Sequence, residues 1–346
     1  MKTIRIKLSP QLIQLGEKEL LIEIDESVLS KEELKSKSER FLFLYMEKII
    51  KELENNMQSS TADNYKSTLK SFKRFRKGKN IALNKIDDKI MQQYELYLKN
   101  EGIRMNTVSF YMRVMRAVYN RAVNDGLTIE RQPFKNVYTG IDKTEKRAVP
   151  LQTIKAIKEL YMPSRPMHFA RDIFLFSFYT RGMSFVDMAY LKKTDLDNGI
   201  LTYKRRKTKQ QLSIKWERCM QEIVNKWPSY NDYLLPIITI PGKEERIQYK
   251  SCQKNVNLQL DKISKMLKMR KGITMYVARH SWASIAKNMN IPIGVISDSM
   301  GHTSLKTTQI YLNAIDMDVI NKANMKILKK IEKRKEETKR FSQTNK

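Results

Sequence analysis

Apolar positions in the first third of the chain recur with a helical period. Phe41, Leu42, Leu44, Tyr45, Ile49 and Leu53 fall on one stripe, and Tyr65, Leu69, Phe72 and Phe75 on a second. Ser60-Thr61-Ala62-Asp63 reads as a capping box that opens the second helix. Asp87 or Asp88 opens a third, which runs through Tyr94 and Leu98 and stops at Gly102. Asn106-Thr107 caps a fourth, whose Val108, Met112, Met115 and Val118 face inward. Ahead of these helices, Ile4 and Ile6 alternate with Arg5 and Lys7, which suits a short half-buried strand. The pattern predicts a short N-terminal segment over 1–30 and a four-helix domain over 31–126.

Periodicity is lost between 127 and 149. Pro133, Gly140 and the charge run Asp142 to Arg147 mark a linker, and Pro150 follows it. A second domain, 150–316, opens with a helix from Leu151 to Tyr161. The stretch Ile173 to Tyr179 is apolar all round and reads as a buried helix. Ile200 to Tyr203 and Leu212 to Ile214 then flank a basic turn, Lys204 to Lys209, as a β-hairpin. A C-terminal helix and basic tail occupy 317–346, with Val319, Ile320, Ala323, Ile327, Leu328 and Ile331 at helical spacing. The fold class is therefore mainly α with a small β-hairpin, in two domains.

Charge narrows the choice of partner. The formal net charge is +29, from 66 basic and 37 acidic residues. An excess of that size repels itself and points to a polyanion, whose counterions are released on binding. The second helix carries six basic residues from Lys66 to Lys77 and no acidic one. Lys66, Lys70, Lys73 and Arg74, with Arg104, Arg113 and Arg116 on or beside the fourth helix, are the candidate phosphate contacts. A charged helix face is often only a solvated one, but this excess is one-sided. No stretch approaches a membrane-spanning length of apolar residues, and no signal peptide is visible. Cys219 and Cys252 are the only cysteines, which fits a reducing cytoplasm. The three histidines are not grouped with them at zinc-ligand spacing, so no metal and no cofactor is expected.

The second domain holds the residues that suggest chemistry: Arg181 after the buried helix, Lys207 in the hairpin turn, Arg279-His280, then Gly301-His302 and Tyr311. The segments Tyr276 to Ser284 and Met300 to Tyr311 resemble the two C-terminal signatures of the tyrosine recombinase (phage integrase) family. The first resembles its His-x-x-Arg-His stretch. The second resembles Leu-Gly-His followed, nine residues after the histidine, by a tyrosine, a spacing that His302 and Tyr311 share. Phe174 to Leu191 is similar to integrases and invertases of Bacteroides-type mobile elements. Singly these residues mean little: Tyr311 between Ile310 and Leu312 reads as a core tyrosine, and His280 as structural. Their joint order and spacing carry the resemblance.

That resemblance implies a two-domain clamp on double-stranded DNA, with the helical domain as the core-site-binding domain. It implies that Tyr311 attacks a phosphodiester to give a 3′-phosphotyrosine and a free 5′-hydroxyl, which conserves the bond energy for rejoining. Arg279 and Arg181 would stabilise the phosphate, with His302 as a further donor, because guanidinium donors match phosphate geometry. A hairpin lysine would protonate the leaving 5′-oxygen. Lys207 matches best, and Lys209 is its rival. The implied assembly is a homotetramer on paired sites, in which the family exchanges its C-terminal helix; the apolar stripe here suits that exchange or packing on its own domain. Accessory DNA-bending proteins, and the choice between integration, excision and inversion, stay open. The alternatives are a catalytically silent DNA-binding protein and a type IB topoisomerase.

Two positions depart from the family pattern. Ser184, three residues before Asp187, stands where the family has its first arginine, and Arg181 lies three residues earlier. If that segment is helical, Arg181 and Ser184 share a face and Arg181 reaches the same phosphate. Tyr276 stands where a histidine is usual. A phenol, with an ordinary pKa of about 10, suits positioning better than proton transfer near neutrality.

Overall fold

The computed structural model describes residues 40–142 and 147–302, together with Ser304, Thr308 and Met325. The chain divides into two units, Met1–Thr144 and Glu145–Lys346. The predicted N-terminal strand, Tyr311 and the amphipathic tail (apart from Met325) lie outside the described residues.

In the first unit, α1 (Leu42–Asn55), α2 (Ser59–Phe75), α3 (Asp88–Asn100) and α4 (Met105–Asn124) surround one apolar core. The predicted inward face of α4 is found there: Val108, Met112, Met115 and Val118 are all buried. At the centre, Phe72 stacks edge-on to Phe43 and Tyr94, and Phe75 bridges Tyr94 and Tyr97. The Tyr94 hydroxyl, buried in this cluster, donates to Ser71 Oγ at 2.8 Å, so the burial costs no unmade hydrogen bond.

The helix starts differ from two of the expectations. Asp87 does cap α3, accepting from the Ile90 N–H at 2.9 Å. But α2 begins at Ser59 after Gln58, with no side-chain cap, so Ser60 to Asp63 form its first turn and not a capping box. Likewise α4 begins at Met105 after Arg104. Asn106 instead exchanges two hydrogen bonds with the backbone of Asp142, fastening the segment that follows the domain. An amide side chain bonds a backbone outside its own helix as readily as inside it, which local sequence does not reveal. Leu44 and Phe41, assigned to the buried stripe, are more than 40% exposed. Phe134 and Val137, from the stretch read as linker, are buried in this core.

In the second unit, α5 (Leu151–Glu159) leads to α6 (Arg165–Tyr179), the buried central helix. Helices α8 (Arg218–Lys226), α9 (Glu245–Met266) and α10 (Met275–Asn288) pack around α6. Short α7 (Phe185–Ala189) follows α6 and precedes the sheet. The hairpin is present as β2 (Ile200–Lys204) and β3 (Gln211–Lys215), with β1 (Leu196–Asp197) added antiparallel to β2. Two-residue β1 is too short to carry an alternating pattern, so periodicity could not find it. Leu201, Tyr203 and Ile214 face the core while their neighbours face out. Helix α11 (Ile293–Ser299) is held on α10 by a satellite cluster of Ala283, Ala286, Ile296 and Met300. That packing sets the position of the residues that follow, Gly301 and His302.

Phe72→Ala removes a fully buried ring from the first unit's core and is expected to cost about 3–5 kcal/mol, read as a lowered denaturant midpoint. Tyr230→Ala, at a fully exposed site, is expected to stay within about 0.5 kcal/mol of the parent protein.

Candidate active site

The site forms where the end of α6, the hairpin turn, α10 and the loop after α11 meet. Helix α6 stops at Tyr179, and the Thr180 hydroxyl donates back to the Phe176 carbonyl at 2.7 Å. Arg181 and Gly182 then both take left-handed backbone, with φ of 59° and 75°. The segment is therefore a reversal and not a helix, so Arg181 and Ser184 do not share a helical face as expected. Ser184 caps α7 instead. Its hydroxyl donates to Asp187 Oδ2 at 2.7 Å and lies 3.3 Å from the Asp187 N–H.

The reversal has a second effect. It presents the Gly182 carbonyl to the guanidinium of Arg279, whose Nη1 donates to it at 2.7 Å. A Cβ at Gly182 would stand 2.7 Å from the Arg279 Cα, so only glycine satisfies both the turn and this approach. Arg279 Nη2 donates to the Met300 carbonyl at 2.7 Å and lies 2.9 Å from His302 Nε2. Two carbonyls and an imidazole thus fix the plane of a guanidinium that is only 5% exposed.

His302 is correspondingly constrained. Arginine can only donate, so Nε2 accepts, and a neutral ring then carries its proton on Nδ1. Nδ1 lies 2.7 Å from the hydroxyl of buried Thr308, which completes the pair. Burial, followed by the charges of Arg279, Arg205 and Lys207, pushes the imidazole down to about 4 from an ordinary 6.5. His302 was expected to donate to a phosphate. In the free protein its Nε2 serves Arg279 instead.

Lys207 is exposed in the turn between β2 and β3, close enough for its charge to act on His302. Lys209, the rival, has left-handed backbone and is not among the charges that act on His302. Arg181 is directed elsewhere: its Nη1 reaches the Ser213 carbonyl of β3 at 3.4 Å. The acids nearby in sequence, Asp172 and Asp187, are taken by other donors. Asp172 accepts from Arg171, Lys226 and Trp227, and Asp187 from Ser184 and the Arg206 N–H. Tyr276 is half exposed on α10, its ring edge-on to His280 at 4.3 Å.

Sequence reasoning missed Arg205. Its side chain lies beneath the turn, 5% exposed, with Nη1 donating to the Gly301 carbonyl and Nε 3.8 Å from Asp187 Oδ2. The signal was available: in β2, Leu201 and Tyr203 face inward, and period-two alternation carries Arg205 to the same side. Gly301 has φ of 61°, and a Cβ there would meet Arg205 Cδ at 2.6 Å. Among the described residues no cluster of His, Cys, Asp or Glu suits a metal ion. In the first unit, Lys66 pairs with Glu54 and Lys73 with Glu47. Lys70, Arg74, Arg104, Arg113 and Arg116 are exposed on that unit's surface.

The His302 shift has a defined sign. Between pH 6.5 and about 4 the unfolded imidazole takes up a proton that the folded one refuses. This residue's contribution to stability is therefore complete above that window and is lost as pH falls through it. Thermal midpoints measured from pH 7 to 4 are expected to fall less steeply for His302→Gln than for the parent; parallel curves would mean that His302 titrates normally.

Family models match both units: a phage integrase SAM-like domain over residues 41–140 and the phage integrase family over residues 151–317. The chain is 22% identical to tyrosine recombinase XerC of Syntrophus aciditrophicus, an alignment covering 77% of this chain and 93% of that protein. It is also 22% identical to XerC of Bacillus licheniformis, over 82% and 95% of the two chains. Among solved structures it is similar in fold to a lambda integrase dimer bound to a COC′ core site, with a TM-score of 0.60 and 15% identity over 77% of this chain and 97% of that one. The Tn1549 transposon integrase in complex with transposon right end DNA gives 0.58 and 16%, over 78% and 93%. With both units matched in order, the chain belongs to the tyrosine recombinase (phage integrase) family.

Proposed function

We propose that this protein is a site-specific DNA recombinase that cleaves and rejoins DNA through a 3′-phosphotyrosine on Tyr311. The observation that carries this reading is the buried, carbonyl-held guanidinium of Arg279 against His302, with Lys207 at the edge. A guanidinium fixed before substrate arrives reorganises little when negative charge develops on a phosphate.

In the proposed step the phenol oxygen of Tyr311 forms a bond to phosphorus and the bond to the 5′-oxygen breaks. The phenol proton passes to a base, a role assigned to His302 Nε2 once Arg279 turns that donor from the imidazole to the phosphate, and Lys207 gives a proton to the 5′-oxygen. Burial and the nearby cations depress the imidazole; a phosphate anion among them offsets the cations' share, so His302 regains that part of its basicity when DNA is bound. Tyr276 positions the phosphate from the exposed end of α10. Arg181, outside this cluster, is assigned to the DNA backbone beside β3. Attack by the 5′-hydroxyl of a second strand reverses the step and restores Tyr311.

Both units bind duplex DNA, the helical unit reading the core site and the second cutting. Lambda integrase, similar in fold, is seen as a dimer on a core site and as a tetramer on a Holliday junction, which supports a tetramer on paired sites as the working assembly. The likeness of Phe174 to Leu191 to Bacteroides-type mobile-element integrases favours an element that moves or inverts its own DNA. On the helical unit, Lys70, Arg74, Arg104, Arg113 and Arg116 are the first phosphate contacts. Lys66 and Lys73 contribute less, because DNA must compete with Glu54 and Glu47 for them.

Nicked suicide DNA taken from beside the gene is expected to give a protease-sensitive covalent band with the parent protein and none with Tyr311→Phe. Lys207→Ala is expected to slow the band's appearance about 10²–10⁴-fold while binding persists, as loss of a general acid does. Binding without any covalent band would replace this reading with that of a silent DNA-binding protein. The double substitution Lys70→Ala and Arg74→Ala is expected to lower the salt slope of binding by about 2, and Lys66→Ala by less than 1.

A further inference from the structure

We propose that Arg205 is a phosphate-binding residue of this site, supplying from the hairpin the second guanidinium that the position of Ser184 lacks. This rests on the recombinase reading and adds to it a residue that no motif marks.

Three observations carry it. The first is place. Arg205 touches the loop that ends in His302, through its hydrogen bond to the Gly301 carbonyl and the packing of its Cδ beside Gly301. It belongs to the same turn as Lys207, and its charge acts on His302 alongside those of Arg279 and Lys207. These are the groups already assigned to one phosphate.

The second is unused donor capacity. A guanidinium carries five N–H groups. The side chain of Arg205 makes one hydrogen bond among the described residues, to Gly301. Its Nε is buried and has no hydrogen-bond partner. Asp187 stands 3.8 Å away, too far for a hydrogen bond, and its oxygens already accept from Ser184 and the Arg206 N–H. Asp187 pairs with the charge of Arg205, but a buried Nε–H without an acceptor is costly in the free protein, and an arriving anion that supplies one removes that cost.

The third is substitution by geometry. A side chain at position 184 is spent on capping α7 and on Asp187, and Arg181 turns to Ser213. Asp187 links the two places, since it bonds Ser184 on one side and faces Arg205 on the other. The charge missing from the α7 cap is thus present across the same carboxylate, on the hairpin.

The rival explanation makes Arg205 only a strut that seats the hairpin on Gly301. The two differ in what they owe to the charge of the phosphate. Arg205→Ala and Arg205→Lys are compared with the parent on two suicide DNAs, one with an ordinary phosphodiester at the scissile position and one with a methylphosphonate, which lacks the non-bridging charge. With the phosphodiester, Arg205→Ala is expected to form the covalent adduct about 10²–10³-fold more slowly at saturating protein, a loss in rate larger than any loss in DNA affinity and typical of one oxyanion donor. With the methylphosphonate that gap is expected to shrink to less than about tenfold, because there is no charge left to neutralise. Arg205→Lys, which keeps the charge and stem, is expected to fall between the two and serves as the test should the alanine variant not fold. An equal loss on both DNAs, or no loss on either, overturns the proposal while the recombinase reading stands. A parent protein that forms no adduct with the phosphodiester overturns both.

Discussion

The site depends on one interaction: the guanidinium of Arg279 held between the carbonyls of Gly182 and Met300. Burying a guanidinium is unfavourable unless its donors are met. Here they are met by backbone oxygens at 2.7 Å, from two segments far apart in sequence. Neutral carbonyls satisfy the donors and leave the positive charge in place. A carboxylate in the same position would have cancelled it. The arrangement leaves a buried positive charge at the site, the charge that the proposed function uses on a phosphate.

Much of the local structure follows from that need. Gly182 has to be glycine, since its left-handed backbone and its contact with Arg279 exclude a Cβ. Its carbonyl reaches Arg279 because α6 ends in a reversal of two left-handed residues. Met300 arrives because the cluster of Ala283, Ala286 and Ile296 pins α11 to α10. The next residue, Gly301, makes room for Arg205, and the one after brings His302 onto Arg279. Two glycines, each pressed against an arginine, therefore join helix, hairpin and loop.

The sequence made much of this legible, for identifiable reasons. Helical and alternating periods located the four-helix unit and the hairpin because each element buries one face. Arg279 and His302 were named together and the structure brings them into contact, while Lys207 lies exposed in the hairpin turn, its charge acting on His302. What escaped depended on tertiary partners. Ser60 to Asp63 look like a cap but lie within the first turn of α2, and Asn106 bonds Asp142 and not its own helix. Spacing alone put Arg181 on a face with Ser184, and the reversal at Arg181 and Gly182 removed it. Arg205 was hidden among the lysines of its turn, although alternation along β2 pointed inward. Tyr311 lies outside the described residues, so its role rests on motif spacing.

The most direct test of the central claim, that two buried guanidinium groups wait for one phosphate, is a crystal structure of Tyr311→Phe bound to its DNA site. The account predicts Arg279 and Arg205 both within hydrogen-bond distance of non-bridging oxygens on the same phosphate, with Arg279 still held by Gly182 and Met300. A scissile phosphate contacted by Arg181, with Arg205 still turned to Asp187 and Gly301, would contradict it.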